Sequence, residues 1–154
     1  MAAEKLLLPY NFTASDRKAL EFTIRTFAYR KDIEVTLFHS YTPLPNVDVR
    51  DETVTGRLKE SFSYLHQKLS ELEISFQEIK DELIKSGFGQ ERVNTIFKPR
   101  KKEIAGEIID LQKREKFNFL ILNRKAGRIG RFFSGSVHTK VTATLRNATI
   151  CIVC

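Results

Sequence analysis

The stretch Phe117-Asn118-Phe119-Leu120-Ile121-Leu122, with the residues that follow it, decides the fold. This apolar run leads into a basic loop, Asn123 to Arg131, which continues to Ser134-Gly135-Ser136-Val137, where a helical segment begins. A second apolar run, Ala148 to Cys154, ends the sequence. Strand, loop, helix and strand in this order form one crossover unit of a parallel sheet. Because the first amide N–H groups of a helix lack partners and carry the positive end of its dipole, the stretch predicts an anion site.

The residues upstream repeat the same alternation. Three segments have the apolar or β-branched character of strands: Lys5 to Tyr10, Ile33 to Tyr41, and Arg92 to Phe97. Helical periodicity lies between them, and Thr13-x-x-Asp16 has the form of a capping box at the start of the first helix. Alternating strands and helices predict an α/β fold, a single domain over residues 1–154 with helices on both faces of a parallel sheet.

A long helical region is expected from about residue 53 to residue 86. Its apolar residues alternate spacings of four and three: Leu58, Phe62, Leu65, Leu69, Leu72, Phe76, Ile79 and Leu83. This heptad pattern is typical of a coiled coil, but in this context we interpret it as a helix laid across the sheet. Such a helix would be about 45–50 Å long, whereas a strand is about 17–20 Å. We therefore expect a break near residues 70–75, or an overhang.

The net charge of +7 is confined to one part of the sequence. The segment from Lys98 to Arg131 holds 11 Lys and Arg residues against 4 Asp and Glu, and the remainder is balanced. A positive field there would attract nucleotides or other polyanions. The alternative is a solvated helix face, at Lys101, Lys102, Lys113, Arg114 and Lys116, which binds nothing.

Several classes of protein are not favoured. The 42% hydrophobic content argues against a disordered chain, and no apolar run approaches the length that spans a membrane. The opening residues do not resemble a secretory signal, so we expect a cytoplasmic protein. Three scattered histidines predict no metal site, and we predict no catalytic residues. Cys151 and Cys154 would face opposite sides of a strand, too far apart for a disulfide, and are interpreted as small buried hydrophobic residues.

Four segments give the chain a resemblance to the universal stress protein family over nearly its full length. Leu6-Leu7-Leu8-Pro9-Tyr10-Asn11-Phe12-Thr13 is similar to the family's first strand and its Pro-x-Asp loop. Leu37-Phe38-His39-Ser40-Tyr41 resembles the second strand, and Phe119 to Ser136, with Val137, resembles the fourth strand and nucleotide loop. Ala148 to Val153 resembles the last strand.

The resemblance implies a three-layer fold with a five-stranded sheet of order 3-2-1-4-5, and a homodimer that pairs through the C-terminal strand. In members that bind ATP it also implies the motif Gly-x2-Gly-x9-Gly-Ser/Thr. Here the first two glycines fall at Asn123 and Ala126, while Gly135 and Ser136 match. Eight residues rather than nine separate Ala126 from Gly135, and Gly127 can partly substitute. Side chains restrict the backbone where glycine would allow close approach to phosphate.

The same resemblance assigns the other candidate residues. Ser136 and the N–H groups of Gly135 to Val137 would hold phosphate, and Tyr10, Asn11 and Ser40 would border the base and ribose. Asn11 stands where the family has Asp, and its uncharged amide would bind a ribose hydroxyl more weakly.

These residues predict a regulatory or binding module with a degenerate adenine-nucleotide crevice, in which ATP or AMP binds weakly or not at all. Two alternatives stay open. One is a slow nucleotide hydrolase that uses the same crevice. The other is a ligand-free interaction protein whose basic face binds an acidic partner. Direct binding of nucleic acid is not favoured, because the chain lacks the interleaved aromatic residues of a single-strand binder.

Overall fold

A five-stranded parallel sheet forms the centre of the protein. The structure, a computed structural model, describes residues 2–45, 56–124 and 137–154. The strands are β1 (Glu4–Pro9), β2 (Ile33–Tyr41), β3 (Val93–Pro99), β4 (Phe119–Asn123) and β5 (Thr149–Val153). Their order is β3-β2-β1-β4-β5, and every neighbouring pair is parallel. The predicted α/β fold and the strand order implied by the resemblance are confirmed.

Helices cover both faces of this sheet. They are α1 (Ala14–Phe27), α2 (Gly56–Leu83), α3 (Ile104–Glu115) and α4 (Val137–Thr144). Because successive strand residues point to opposite faces, the strands feed two separate cores. Helices α1 and α2 pack on one face, against strand residues such as Leu6, Leu8 and Leu37. Helices α3 and α4 pack on the other, against Leu7, Phe38 and Leu120.

The capping box predicted at the start of α1 is present. The backbone N–H of Asp16 donates to Thr13 Oγ1 at 3.2 Å, and the N–H of Thr13 donates to the Asp16 carboxylate at 3.1 Å. These bonds satisfy amide groups that have no partner within the helix. They fix the point at which the chain leaves the β1 loop.

Of the two outcomes expected for the long helix, the overhang is found and the break near residues 70–75 is not. Helix α2 is continuous from Gly56 to Leu83, and its geometry changes only at Ile84–Phe88, a π-helical turn in which Gly87 has φ of 123°. The α2 sequence holds no proline or glycine after Gly56 that would interrupt it. Its fully buried residues, Phe76 and Leu83, both lie in the second half, so the first half extends beyond the core.

At the amino ends of the strands, Arg92 holds the backbone together just before β3 begins. Its Nη1 donates to the carbonyl oxygens of Arg30 at 2.6 Å and Ile33 at 3.1 Å. Its Nη2 donates to the carbonyl oxygens of Gly87 at 2.7 Å and Ala28 at 3.4 Å. One side chain thus joins the α1–β2 connection, from Ala28 to Ile33, to the turn at Gly87.

Candidate functional site

A cleft of about 290 Å³ lies at the carboxyl ends of the strands, between β2 and the first half of α2. Ligands of parallel α/β sheets bind at this edge, where the strand order reverses. The sheet reverses at β1, which pairs with both β2 and β4. Of the predicted site residues, Asn11 and Ser40 line the cleft. The other lining residues are His39, Tyr41, Thr42, Leu44, Leu65, Lys68, Leu69, Leu72 and Arg100.

The end of β4 contacts the first turn of α1, which begins just after the β1 loop. Nδ2 of Asn123, the last residue of β4, donates to Oδ1 of Asp16 in the first turn of α1. Asp16 is buried, and its other carboxylate oxygen accepts from the hydroxyl and the backbone N–H of Thr13. Asn123, predicted as a replaced glycine of the nucleotide loop, therefore also ties the start of that loop to the α1 cap.

Tyr10 lies in the core and is not among the residues that line the cleft. It is 4% exposed, and its ring packs edge-to-face on Phe12 with the centroids 5.1 Å apart. Burial raises the pKa of Tyr10. Phe12 has φ of 60°, a left-handed conformation that is uncommon for a non-glycine residue. The residues on either side of Asn11 in sequence thus pack against each other through their rings.

His39 is a buried, neutral imidazole at the carboxyl end of β2. Its Nδ1 lies 2.7 Å from the carbonyl oxygen of Tyr10, which can only accept, so Nδ1 carries the proton. Burial lowers the pKa of His39; the bond to Tyr10 opposes that shift, and the Arg100 charge adds to it. The ring also stacks on Phe97 with centroids 5.7 Å apart. His39 thus joins β2 to the β1 loop and leaves Nε2 as an unprotonated acceptor.

Ser40 has a buried hydroxyl whose hydrogen-bonding capacity is unused. The residue is 3% exposed, and Oγ has no hydrogen-bond partner among the residues that the structure describes. A buried polar group without a partner costs about 1–3 kcal/mol, so it is uncommon in a folded protein. A hydroxyl group can both donate to and accept from a ligand.

Two cations line the cleft that were not predicted as site residues. Arg100 follows β3 directly, and its Nη2 donates to Thr42 Oγ1 at 2.9 Å. Lys68 lies on α2 between the apolar positions 65 and 69, and its ammonium is 3.5 Å from the Glu71 carboxylate. Arg100 could have been found from its place at the end of a predicted strand. For Lys68 no signal in the sequence identifies the cleft-facing position.

A buried carboxylate shapes the turn that carries Arg100. Glu107, in the first turn of α3, accepts from the backbone N–H groups of Lys101 at 2.6 Å and Lys102 at 3.0 Å. Its other oxygen is 2.9 Å from Lys98 Nζ. Burial alone would raise the pKa of Glu107, but these three donors bring it down to about 2. The carboxylate is charged at neutral pH and holds the β3–α3 turn.

One lysine of the basic segment, Lys102, and one lysine of α4 beyond that segment, Lys140, are paired at the surface. Lys102 bonds Asp110 at 2.6 Å, and Lys140 bonds Glu103 at 2.6 Å. These residues, except Asp110, lie around a second cavity of about 500 Å³ that Arg100 and Val137 also line. The solvated-face interpretation fits these paired lysines better than a polyanion site.

Four predicted phosphate-loop residues lie outside the described ranges: Ala126, Gly127, Gly135 and Ser136. Val137, the last residue of that predicted loop, opens α4 and is partly exposed. Within the described ranges, no three metal-ligating side chains come together. No helix there has the length and apolarity needed to cross a membrane.

Comparison with known proteins agrees with this geometry. The universal stress protein UspA from Lactobacillus plantarum superimposes with a TM-score of 0.69 at 11% identity, covering 100% of this chain and 99% of that one. A universal stress protein from Archaeoglobus fulgidus in complex with dAMP gives 0.63 at 14% identity, with 100% of both chains covered. An Arabidopsis thaliana family protein with AMP bound gives 0.55 at 14% identity, covering 97% of this chain and 90% of that one.

These identities are low enough that the likeness shows the fold alone. No curated protein matches the chain by sequence. The family assignment comes from the sequence model of the universal stress protein family, which matches residues 3–150. The resemblance first indicated by the strand and loop motifs is confirmed, and the chain belongs to the universal stress protein family.

Proposed function

We propose that this chain is a binding module that holds an adenine nucleotide in the cleft above β1 and β2. The observation that carries the proposal is the lining: polar groups, two cations and an apolar wall at the edge where the strand order reverses, with Ser40 Oγ lacking a partner within the described residues. The structural neighbours bound to dAMP and AMP support it by similarity of fold.

Each candidate residue has a role in this proposal. Asn11 and Ser40 would border the base and ribose, with Tyr10 supporting the Asn11 loop from below. Asn123, Ala126 and Gly127 would form the start of the phosphate loop, and Gly135, Ser136 and Val137 its end. Ala126 in a glycine position and the uncharged Asn11 would keep affinity weak.

Titration calorimetry with ATP, ADP and AMP tests the proposal. We expect measurable heat with at least one nucleotide, and at least tenfold weaker binding in Asn11→Ala and Ser136→Ala. Ser61→Ala, on an exposed position of α2, is the matched control and should bind like the wild type. Absence of heat, and of competition between nucleotides, would show that the cleft does not take this class of ligand.

Binding without hydrolysis is the form of the function that the cleft favours. None of the cleft-lining residues in the described part of the chain is Asp or Glu, so no carboxylate is placed there as a general base or as a metal ligand. We expect bound ATP to be recovered intact after prolonged incubation. Phosphate release that disappears in Ser136→Ala would favour the hydrolase instead.

We also propose that two copies pair through β5. This strand lies at the edge of the sheet beside β4, and Ile152 on it is 40% exposed. An edge strand with an exposed apolar side chain is a ready pairing surface. Sedimentation at micromolar concentration should give the mass of a dimer, and Ile152→Lys should give the mass of a monomer. A wild-type monomer under those conditions would exclude the pairing.

A further inference from the structure

We infer that Arg100 forms an anion subsite on the β3 side of the cleft, which receives a phosphate group and makes the site prefer a nucleoside monophosphate to the free nucleoside. The inference rests on the proposed function and adds to it Arg100, as a residue that binds phosphate on the β3 side of the cleft. The predicted phosphate loop, Asn123 to Val137, follows β4 on the other side of β1. Arg100 also lines the second cavity together with Val137, the last residue of that predicted loop.

The charge of the cleft supports an anionic group at this position. Arg100 and Lys68 line the cleft, and among the residues that line it none is acidic. In the described ranges, the guanidinium of Arg100 has no carboxylate within ion-pairing distance, and its recorded side-chain partner is the neutral Thr42 hydroxyl, at 2.9 Å. An arginine fork with free donors suits the oxygen pairs of a phosphate.

The backbone of Arg100 is fixed, so the side chain is presented from a rigid support. Its N–H donates to the carbonyl oxygen of Tyr41 at 2.7 Å, which continues the β2–β3 pairing past the end of β3. The next two residues are held by the buried carboxylate of Glu107. A support fixed before the ligand arrives lowers the ordering cost of binding.

The opposite wall of the cleft suits the uncharged part of the same ligand. Leu65, Leu69 and Leu72 line it from α2, and Leu44 lines it from the segment after β2. Such residues contact the face of a base, while Asn11 and Ser40 offer hydrogen bonds at its edge. A volume of about 290 Å³ suits a ligand no larger than a single nucleotide.

Calorimetric titration of AMP and adenosine tests the inference, with wild type, Arg100→Ala, Arg100→Lys and Arg114→Ala. Arg114 is the matched control, because it lies in the last turn of α3, at the far end of a helix that starts beside the cleft. We expect wild type to bind AMP more tightly than adenosine. Arg100→Ala should weaken AMP binding about tenfold or more and change adenosine binding less than about twofold.

The remaining two variants separate the effect of the guanidinium fork from that of positive charge alone and from that of losing any arginine. Arg100→Lys keeps the charge but not the fork and should lose part of the AMP preference, whereas Arg114→Ala should keep all of it. Equal weakening of AMP and adenosine in Arg100→Ala, or no change in either, would overturn the subsite and leave nucleotide binding intact. If wild type binds neither compound, the proposed function fails and the subsite with it.

Discussion

Two arginines flank β3, Arg92 just before it and Arg100 just after it, and their surroundings are opposite. Arg92 donates to four backbone carbonyl oxygens at the amino ends of the strands. Among the residues that the structure describes, the Arg100 side chain donates to one group, the Thr42 hydroxyl, at the carboxyl ends. The same residue type thus has two roles at the two ends of β3. The guanidinium of Arg92 is bonded to backbone carbonyl groups, whereas that of Arg100 has N–H groups without a partner in the described part of the chain.

The difference between the two arginines follows from the groups that surround each end of β3. At the amino ends, carbonyl groups between Ala28 and Ile33 and that of Gly87 accept from Arg92, whose guanidinium has enough donors for all four bonds. At the carboxyl ends, a buried serine hydroxyl and an incompletely bonded arginine line the same cleft. The comparison predicts that substitutions at one end change stability and that substitutions at the other change binding.

The largest effect on stability is expected for Arg92→Ala. The loss of charge-assisted bonds to several carbonyl groups should lower the free energy of unfolding by about 3 kcal/mol. Urea denaturation measures it, with Arg25→Ala, an exposed arginine in the last turn of α1, as the control. A cost under about 0.5 kcal/mol would mean that water replaces Arg92 without penalty, and the comparison would fail at this end.

The second-largest loss of stability is expected for Glu107→Gln. The free energy of unfolding should fall by about 2 kcal/mol near neutral pH, because the amide of glutamine puts a donor against Lys98. The pKa of Glu107 is lower in the folded than in the unfolded chain. The carboxylate therefore contributes to stability above about pH 4.5, and this contribution is lost as the pH falls towards about 2. The difference in the free energy of unfolding between wild type and Glu107→Gln should therefore decrease as the pH falls over that range.

Thermal melts from pH 7 to pH 2.5 measure this gap. Glu103→Gln is the control on the same helix, because its carboxylate is exposed and pairs only at the surface. A gap for Glu107→Gln that stays constant across the range would show that packing, and not the charge, supports the turn that carries Arg100.

A smaller effect is expected for His39→Phe. The ring keeps its packing on Phe97 but loses the bond to the Tyr10 carbonyl, which should cost about 1 kcal/mol at pH 7.5. Because the folded pKa of His39 is below 6.5, protonation favours the unfolded chain, and wild-type stability falls as pH drops through and below 6.5.

The difference between wild type and His39→Phe should therefore shrink as pH falls from 7.5 to 5. Chemical denaturation at several pH values measures it, with His66→Phe, on the exposed part of α2, as the control variant. A difference that grows on acidification would mean that the folded protein stabilises the charged imidazole.

The smallest effect on stability is expected for Arg100→Ala, within about 0.5 kcal/mol of wild type. Its side chain has one neutral partner, and the backbone bond to Tyr41 does not need the side chain. Denaturation under the conditions used for Arg92→Ala allows the two to be compared directly. A loss comparable to that of Arg92→Ala would show that the two ends of β3 serve the same structural role.

Local patterns predicted most of the fold. The continuous apolar run of β1 and the capping box at Thr13 depend on near neighbours, and both are found where the sequence places them. The length of α2 relative to a strand predicted a break or an overhang, and the overhang is found, since the buried residues of α2 lie in its second half.

The site was only partly predictable, because its contacts join distant parts of the chain. Asn11 and Ser40 follow strands and were expected at the cleft. Arg100 follows a predicted strand and could have been expected there too, whereas Lys68 reaches the cleft only through the placement of α2. The Asn123 bond to Asp16 spans 107 residues, and no periodicity or motif reports it.

That bond has a consequence for attempts to rebuild the family's loop. Asn123→Gly would restore the first glycine of the nucleotide motif, yet it would also remove the amide that holds Asp16. Asp16 is the residue that completes the α1 cap through Thr13. Restoring the signature glycine would therefore leave the Asp16 carboxylate with its Thr13 donors alone, and Oδ1 of Asp16 would need a new donor.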